Sequence, residues 1–133
     1  MFDDRDKRER SPIYLACMGN HLQALEVLLQ HARDTGGSGK EKSAINEIDR
    51  YSRTGLHAAA ELGHVEIVRE LLRRQASLIM KDDDEYTALM LCCKKNRLDV
   101  LKVFIEFING QYQTTREKLG IYEQRDDGSN TGN

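Results

Sequence analysis

The chain has 133 residues, 32% of them charged, and a formal net charge of −2. That length bounds it to one domain, and the near-balanced charge excludes a global electrostatic pull on nucleic acid. The longest apolar run falls far short of the ~20 residues of a membrane helix, and the start, MFDDRDKRER, is charged throughout, with no apolar core of a signal peptide.

The first predicted element opens at Ser11. SPIYLACMGNHLQALEVLL reads as a short helix, an Asn20–His21 turn and a second helix. A serine just before a helix accepts a hydrogen bond from an otherwise orphaned N–H. Leu22, Leu25, Leu28 and Leu29 recur on one face of the second helix. Residues 34–43, DTGGSGKEKS, follow, and their glycine, serine and charge are flexible-loop composition. Gly39–Lys40 invites a phosphate-loop reading. That loop needs Gly where Asp34 stands and a hydroxyl where Glu41 stands, after a strand that is missing, so the reading is rejected.

Thr54 opens the next element, TGLHAAAELGHVEIVRELL, with the same pattern. Leu56 is expected to point into a stack. Ala58 to Ala60 lack bulk, which lets the first helix lie close to its neighbours, and Gly63 permits the positive φ of a tight helix–helix turn. Val65, Val68, Leu71 and Leu72 mark the buried face of the second helix. The pattern returns 33 residues further on, at Thr87, as TALMLCCKKNRLDVLKVFI, with Leu98, Leu101, Phe104 and Ile105 as its stripe. No helix pair here could bury its apolar face alone. Stacked copies can, at roughly 1.5–3 kcal/mol for each buried Leu or Ile. Beyond them, Thr114-x-x-Glu117 has capping-box spacing before Leu119, Ile121 and Tyr122, which predicts a short helix in a second insertion. Phe107 stands where Arg74 stands one unit earlier, an outward place, and this insertion folding back is its expected cover.

A period near 33 with a T-P-L-H-x-A-like start marks ankyrin repeats. The chain resembles that family in register. Thr54, Leu56, His57, Ala59, Gly63, His64, Val65, Val68, Leu71, Leu72 and Ala76 match in the middle copy. Ser11, Pro12, Leu15, Ala16 and Asn20–His21 match in the first, and Thr87 and Leu89 in the third. Met90, Cys92 and Asn96 depart from the usual His, Ala and Gly. Asp6, Asp49 and Asp82 each lie five residues before the Ser or Thr, as the family's loop aspartate does.

The resemblance implies an all-α ankyrin-repeat solenoid of three helix–turn–helix units with two long inter-repeat insertions. Repeat 1 spans 1–33 with its start missing, a flexible insertion 34–43, repeat 2 44–76, repeat 3 77–109 and an insertion with a short helix 110–125. Residues 126–133 resemble the truncated start of a fourth repeat, with Thr131 in the Thr position. Solenoids end in polar caps. Ile13, Leu15, Leu22, Ala24 and Leu25 at one end, and Val100, Leu101, Val103 and Phe104 at the other, do not read as caps. An internal segment of a longer array is therefore expected. His57 is expected to be structural, bonded to Thr54.

The resemblance also implies a non-catalytic protein–protein interaction module that binds through loop tips and the exposed face of each first helix. Register assigns Lys7, Arg8, Arg10, Met18 and Gly19 in the first copy, and Arg50, Tyr51, Arg53, Glu61 and Leu62 in the second. In the third it assigns Asp83, Asp84, Tyr86, Lys94 and Lys95. The expected patch is Arg50, Tyr51, Arg53 and Leu62 beside Tyr86, suited to an acidic peptide segment with one bulky apolar residue. The competing reading is that charged tips are merely solvated. No catalytic residue, cofactor or metal set is expected. The DDDE run at 82–85 lacks the spaced ligands and glycine of a calcium loop.

Cys17, Cys92 and Cys93 form no CxxC pair, which fits a reducing, cytoplasmic setting. Cys17 and Cys93 align with Ala60, and Cys92 with Ala59, so buried inert thiols are expected. Against that, Lys94 and Lys95 beside Cys93 would favour its thiolate. The stretch Leu28–Phe107 also resembles the ankyrin region of transient receptor potential ankyrin-type cation channels. That implies, as an alternative, the cytoplasmic ankyrin segment of such a channel, with the pore elsewhere in a longer chain.

Overall fold

The structure, a computed structural model, describes residues 5–120, without the side chains of 112–119. The predicted fourth-repeat start, 126–133, lies outside the described residues, as do Ile121 and Tyr122. The helices run α1 (Pro12–Met18), α2 (Leu22–Ile45), α3 (Gly55–Leu62), α4 (Val65–Arg73), α5 (Ala88–Lys94) and α6 (Leu98–Leu119). No strand occurs among the described residues. The chain is an all-α repeat solenoid.

Each helix pair starts from the same local chemistry. The Ser11 and Thr87 hydroxyls accept from the main-chain N–H groups of Tyr14 and Met90 at 3.1 and 3.2 Å. Thr54 caps α3 in the same way, accepting from His57. The turn inside each pair needs one left-handed residue, supplied by Asn20 (φ 62°), Gly63 (φ 81°) and Asn96 (φ 59°). Asn tolerates this conformation because its short polar side chain bonds locally. Asn96 therefore does the work of the expected glycine.

The first helices form one layer, with α3 packed against α1 and α5, and the second helices another, with α4 packed against α6 and α2. Leu25, Leu29, Ile67, Val68, Leu71, Val100 and Phe104 are fully buried between them. Ala59 and Ala60 are also at 0% exposure, so the alanine run does let helices approach. The third apolar stripe differs from the expected one. Leu98 is 58% and Ile105 48% exposed, while Val100 and Val103 are buried with Phe104. Among the described residues α6 packs against α4 and α5 and has no following unit on its other side, so only the part of its face turned to those two helices is covered.

Each join before a first helix is a tight loop built on its aspartate. Asp6, Asp49 and Asp82 each accept two main-chain N–H groups, two and four residues on. Their own N–H groups bond to Arg10, Arg53 and Tyr86 carbonyls. The loops are then tied together, Arg50 N–H to Arg8 carbonyl at 2.9 Å and Asp83 N–H to Tyr51 carbonyl at 3.0 Å.

Residues 34–43 are not a loop. Helix α2 continues through them, broken only at Gly37 (φ 75°, ψ −168°), where the chain turns back. Arg33 and Glu41 meet across that turn at 2.7 Å. Three glycines disfavour a helix by about 1 kcal/mol each, but the returning arm is anchored by buried Glu41 and by Ile45 in the core. The second insertion differs too. Helix α6 runs unbroken through Thr114 to Leu119, so no new helix starts at the capping-box spacing. Phe107 is half-buried against the core, beside Leu72 and Val103, and owes that cover to its own helix and α4.

Candidate functional site

The predicted residues fall into two groups, those the fold consumes and those it leaves to solvent. His57 belongs to the first. Its Nδ1 accepts from the Thr54 N–H at 3.0 Å. Its Nε2 faces the Tyr86 carbonyl at 2.9 Å, which can only accept, so Nε2 carries the proton. Burial lowers its pKa below the usual 6.5, against the Tyr86 hydrogen bond that raises it. A neutral, doubly bonded ring is a structural clamp, as expected. In the first copy Tyr14 takes this place, where burial and the Asp49 carboxylate push its phenol upward. Met90, the third occupant, is 45% exposed and clamps nothing.

Arg53 also belongs to the fold. Its guanidinium bonds to Glu61, and its Nε lies 4.0 Å from the Asp82 carboxylate. Arg10 is likewise held by Asp6 at 2.7 Å. Neither is an open docking group, because each guanidinium is held by a carboxylate of its own unit, which register alone does not reveal. Lys95 sits 3.7 Å from Glu61. The Lys94 ammonium lies over the half-buried Tyr86 ring, 4.6 Å from its centroid. This cation–π contact ties two predicted residues together.

The second group is open. Arg50 and Tyr51 are exposed, Tyr51 by 47%, and Leu62 is 42% exposed at the end of α3. Asp83 and Asp84 are exposed, with Asp83 accepting from the Ser52 hydroxyl at 2.7 Å. The structure thus brings Arg50 and Tyr51 beside Asp83 through the loop ties, with Leu62 on the adjoining first helix. Ser52 and Arg97 escaped the sequence reading. Arg97 donates to the Glu61 carbonyl at 2.8 Å and crosses between units. Nothing in a single sequence marks such inter-unit bonds.

Cys17 and Cys92 are buried, and burial pushes both thiols up to about 12, which makes them inert. Cys93 is exposed, contrary to the expected burial. Its alignment partner Ala60 is covered by a following unit that Cys93 lacks among the described residues.

A second feature lay hidden in the insertion. Glu41, 3% exposed, receives Arg33 from its own hairpin and Arg74, the residue that caps the end of α4, at 2.5 Å. Arg74 also bonds Glu70 at 2.5 Å, and Glu70 takes Arg73. Arg74, expected to point outward, is the centre of this network. Burial would lower its pKa, but Glu70 and Glu41 outweigh that and raise it. A groove of about 460 Å³ lies between the hairpin arms and α1, floored by Ile13, Leu28 and Ala32 and rimmed by Thr35 and Lys40. Among the described residues, no three His, Cys, Asp or Glu side chains are grouped to hold a metal, and no helix is long and apolar enough to cross a membrane.

A family model described as ankyrin repeats (3 copies) matches residues 2–78 and 39–116. Inversin of Canis lupus familiaris is 27% identical over 116 residues, 87% of this chain and 10% of that protein. Ankyrin repeat and KH domain-containing protein mask-1 of Caenorhabditis elegans is 28% identical over 118 residues, 87% of this chain and 4% of its own length. Human transient receptor potential cation channel subfamily A member 1 is 29% identical over 102 residues, 77% of this chain and 8% of the channel. The chain spans a tenth or less of the length of these relatives.

Proposed function

The chain belongs to the ankyrin-repeat family, whose members generally serve as protein-interaction modules, and on that premise we propose that it is a non-catalytic binding segment of a longer ankyrin array, acting on the cytoplasmic side. Its partner is a protein segment with acidic character and one bulky apolar residue. One observation carries this reading: Arg50 and Tyr51 stand exposed on one loop tip while the neighbouring Arg53 is spent on Glu61, and Leu62 is exposed at the far end of the same first helix. A fold has no use for an exposed Tyr and Leu at positions set by register, whereas aromatic and arginine side chains dominate interface energies.

The test is Arg50→Glu. Partner capture should fall sharply while the circular-dichroism melt stays unchanged. Unchanged capture, or a melt that falls with it, overturns the reading.

A second reading, the cytoplasmic ankyrin segment of an ankyrin-type cation channel, is supported by the likeness to the human channel. The likeness to inversin covers more of this chain, so the general binding module is preferred. The reading frame around these residues decides. Six apolar helices downstream support the channel, and further repeats alone or a catalytic domain overturn it.

A further inference from the structure

We propose that the three loop tips form one charge-graded ribbon that selects an extended, bipolar peptide segment of a partner protein, acidic at one end and basic at the other. This rests on the reading of the tips as the binding surface and refines the partner's chemistry. The ties from Arg50 N–H to Arg8 carbonyl and from Asp83 N–H to Tyr51 carbonyl lay the tips side by side in fixed order. Along that order stand Lys7 and Arg8, then Arg50 and Tyr51, then Asp83 and Asp84, and all six are exposed.

The inner residues already meet the fold's need for charge. Asp6, Asp49 and Asp82 accept the loop N–H groups, and Arg10 and Arg53 are held by Asp6 and Glu61. Asp83 also accepts from the Ser52 hydroxyl at 2.7 Å, but like the other tip charges it stays exposed. The same backbone carries opposite signs at equivalent places: Lys7, Arg50 and Asp83 share one register position, and Arg8, Tyr51 and Asp84 the next. Folding does not dictate that order, so the gradient is available to a partner.

Geometry sets the partner's spacing. Adjacent extended segments lie about 4.8 Å apart, and each tip contributes two, which separates the first and third tips by about 20 Å. An extended chain rises about 3.3 Å per residue, so about six residues cover that distance. A segment acidic along its whole length would meet repulsion at Asp83 and Asp84. One that is acidic over Arg8 and Arg50, apolar over Tyr51 and basic over Asp83 and Asp84 is matched throughout.

The experiment titrates the 133-residue chain against labelled synthetic peptides of equal length by fluorescence anisotropy. One peptide carries a Glu pair and a Lys pair separated by neutral residues, including one Leu, that span about 20 Å. The others carry the same charges side by side, four Glu, or four Lys. The spaced bipolar peptide should bind about three- to ten-fold tighter than each control at low salt. That advantage should shrink as salt screens the exposed charges. Asp83→Lys with Asp84→Lys should transfer the preference to the four-Glu peptide.

If the four-Glu peptide binds the unaltered chain as well as the bipolar one, and Tyr51→Ala weakens both, the gradient is irrelevant while the tip surface stands. If Tyr51→Ala lowers the affinity of no peptide, the tip surface fails as well. If sedimentation finds low-salt dimers that Asp83→Lys with Asp84→Lys dissolves, the occupant is a second copy and the peptide proposal is overturned.

Discussion

His57 donates its Nε2 proton to the Tyr86 carbonyl at 2.9 Å while Nδ1 accepts from Thr54, so one ring fastens the start of its own helix to the loop of the next unit. Replacing it with Leu should leave the Thr54 N–H without its acceptor and the Tyr86 carbonyl with the Asp82 N–H as its remaining donor. The expected loss is about 1–3 kcal/mol, read as a shift in urea midpoint. An unchanged midpoint would mean that water serves both groups equally well.

The same ring makes stability depend on pH. Burial holds its folded pKa below the 6.5 of the free group. Above that value both states are neutral and the full stability is present. As pH falls through 6.5 toward the lower folded value, the unfolded chain takes up the proton first, and stability declines. Urea midpoints for the unaltered chain should therefore drop on going from pH 7.5 to 5.5, more than for His57→Gln. Equal slopes for the two proteins would count against a neutral clamp.

Glu41 and Arg74 join the insertion hairpin to α4. Glu41→Ala should cost about 1–3 kcal/mol, because Arg74 loses one of its two buried carboxylates but keeps Glu70. Arg74→Ala should cost a similar amount. The double variant should cost clearly less than the sum, since both single changes break one shared bond. Strict additivity in a double-mutant cycle would show that the pair is not coupled.

The register of the repeats predicts burial only where neighbours are equivalent. Leu71 is fully buried in α4, and Leu71→Ala should cost about 2–5 kcal/mol. Leu98 holds a place in the same apolar pattern but is 58% exposed, so Leu98→Ala should stay within about 0.5 kcal/mol. Thermal melts of the two variants that matched each other would contradict the packing described for α6.

These cases mark what a single sequence makes legible. The caps at Ser11, Thr54 and Thr87, the bond from Thr54 to His57 and the left-handed turn at Gly63 depend on contacts within a few residues, and spacing alone exposes them. Arg53 with Glu61, Arg74 with Glu41, and Ser52 with Asp83 pair across 8, 33 and 31 residues. The last two pairs are chosen by how elements stack and the first by how a loop folds onto its own helix, neither of which spacing encodes. The hairpin at 34–43 was obscured for a related reason. Its Gly and Ser content argues for a loop, and the burial of Glu41 and Ile45 that overrides it comes from neighbouring elements.

The open surface yields the last expectation. Tyr51 is 47% and Leu62 42% exposed, so neither side chain carries the core. The residues in register with Leu62 are Gly19 and Lys95, which shows that the turn after a first helix needs no apolar side chain. Tyr51→Ala and Leu62→Ala should each weaken partner binding by roughly 1–3 kcal/mol if they sit at the centre of the contact. Their melting temperatures should stay near that of the unaltered chain, because exposed substitutions away from caps and pairs move stability by about 0.5 kcal/mol or less. The two measurements belong together, affinity by calorimetry and melting by circular dichroism. Normal melting with normal binding moves the interface off the second tip. A much lower melting temperature assigns the residues to packing, and with it the register of the second copy fails.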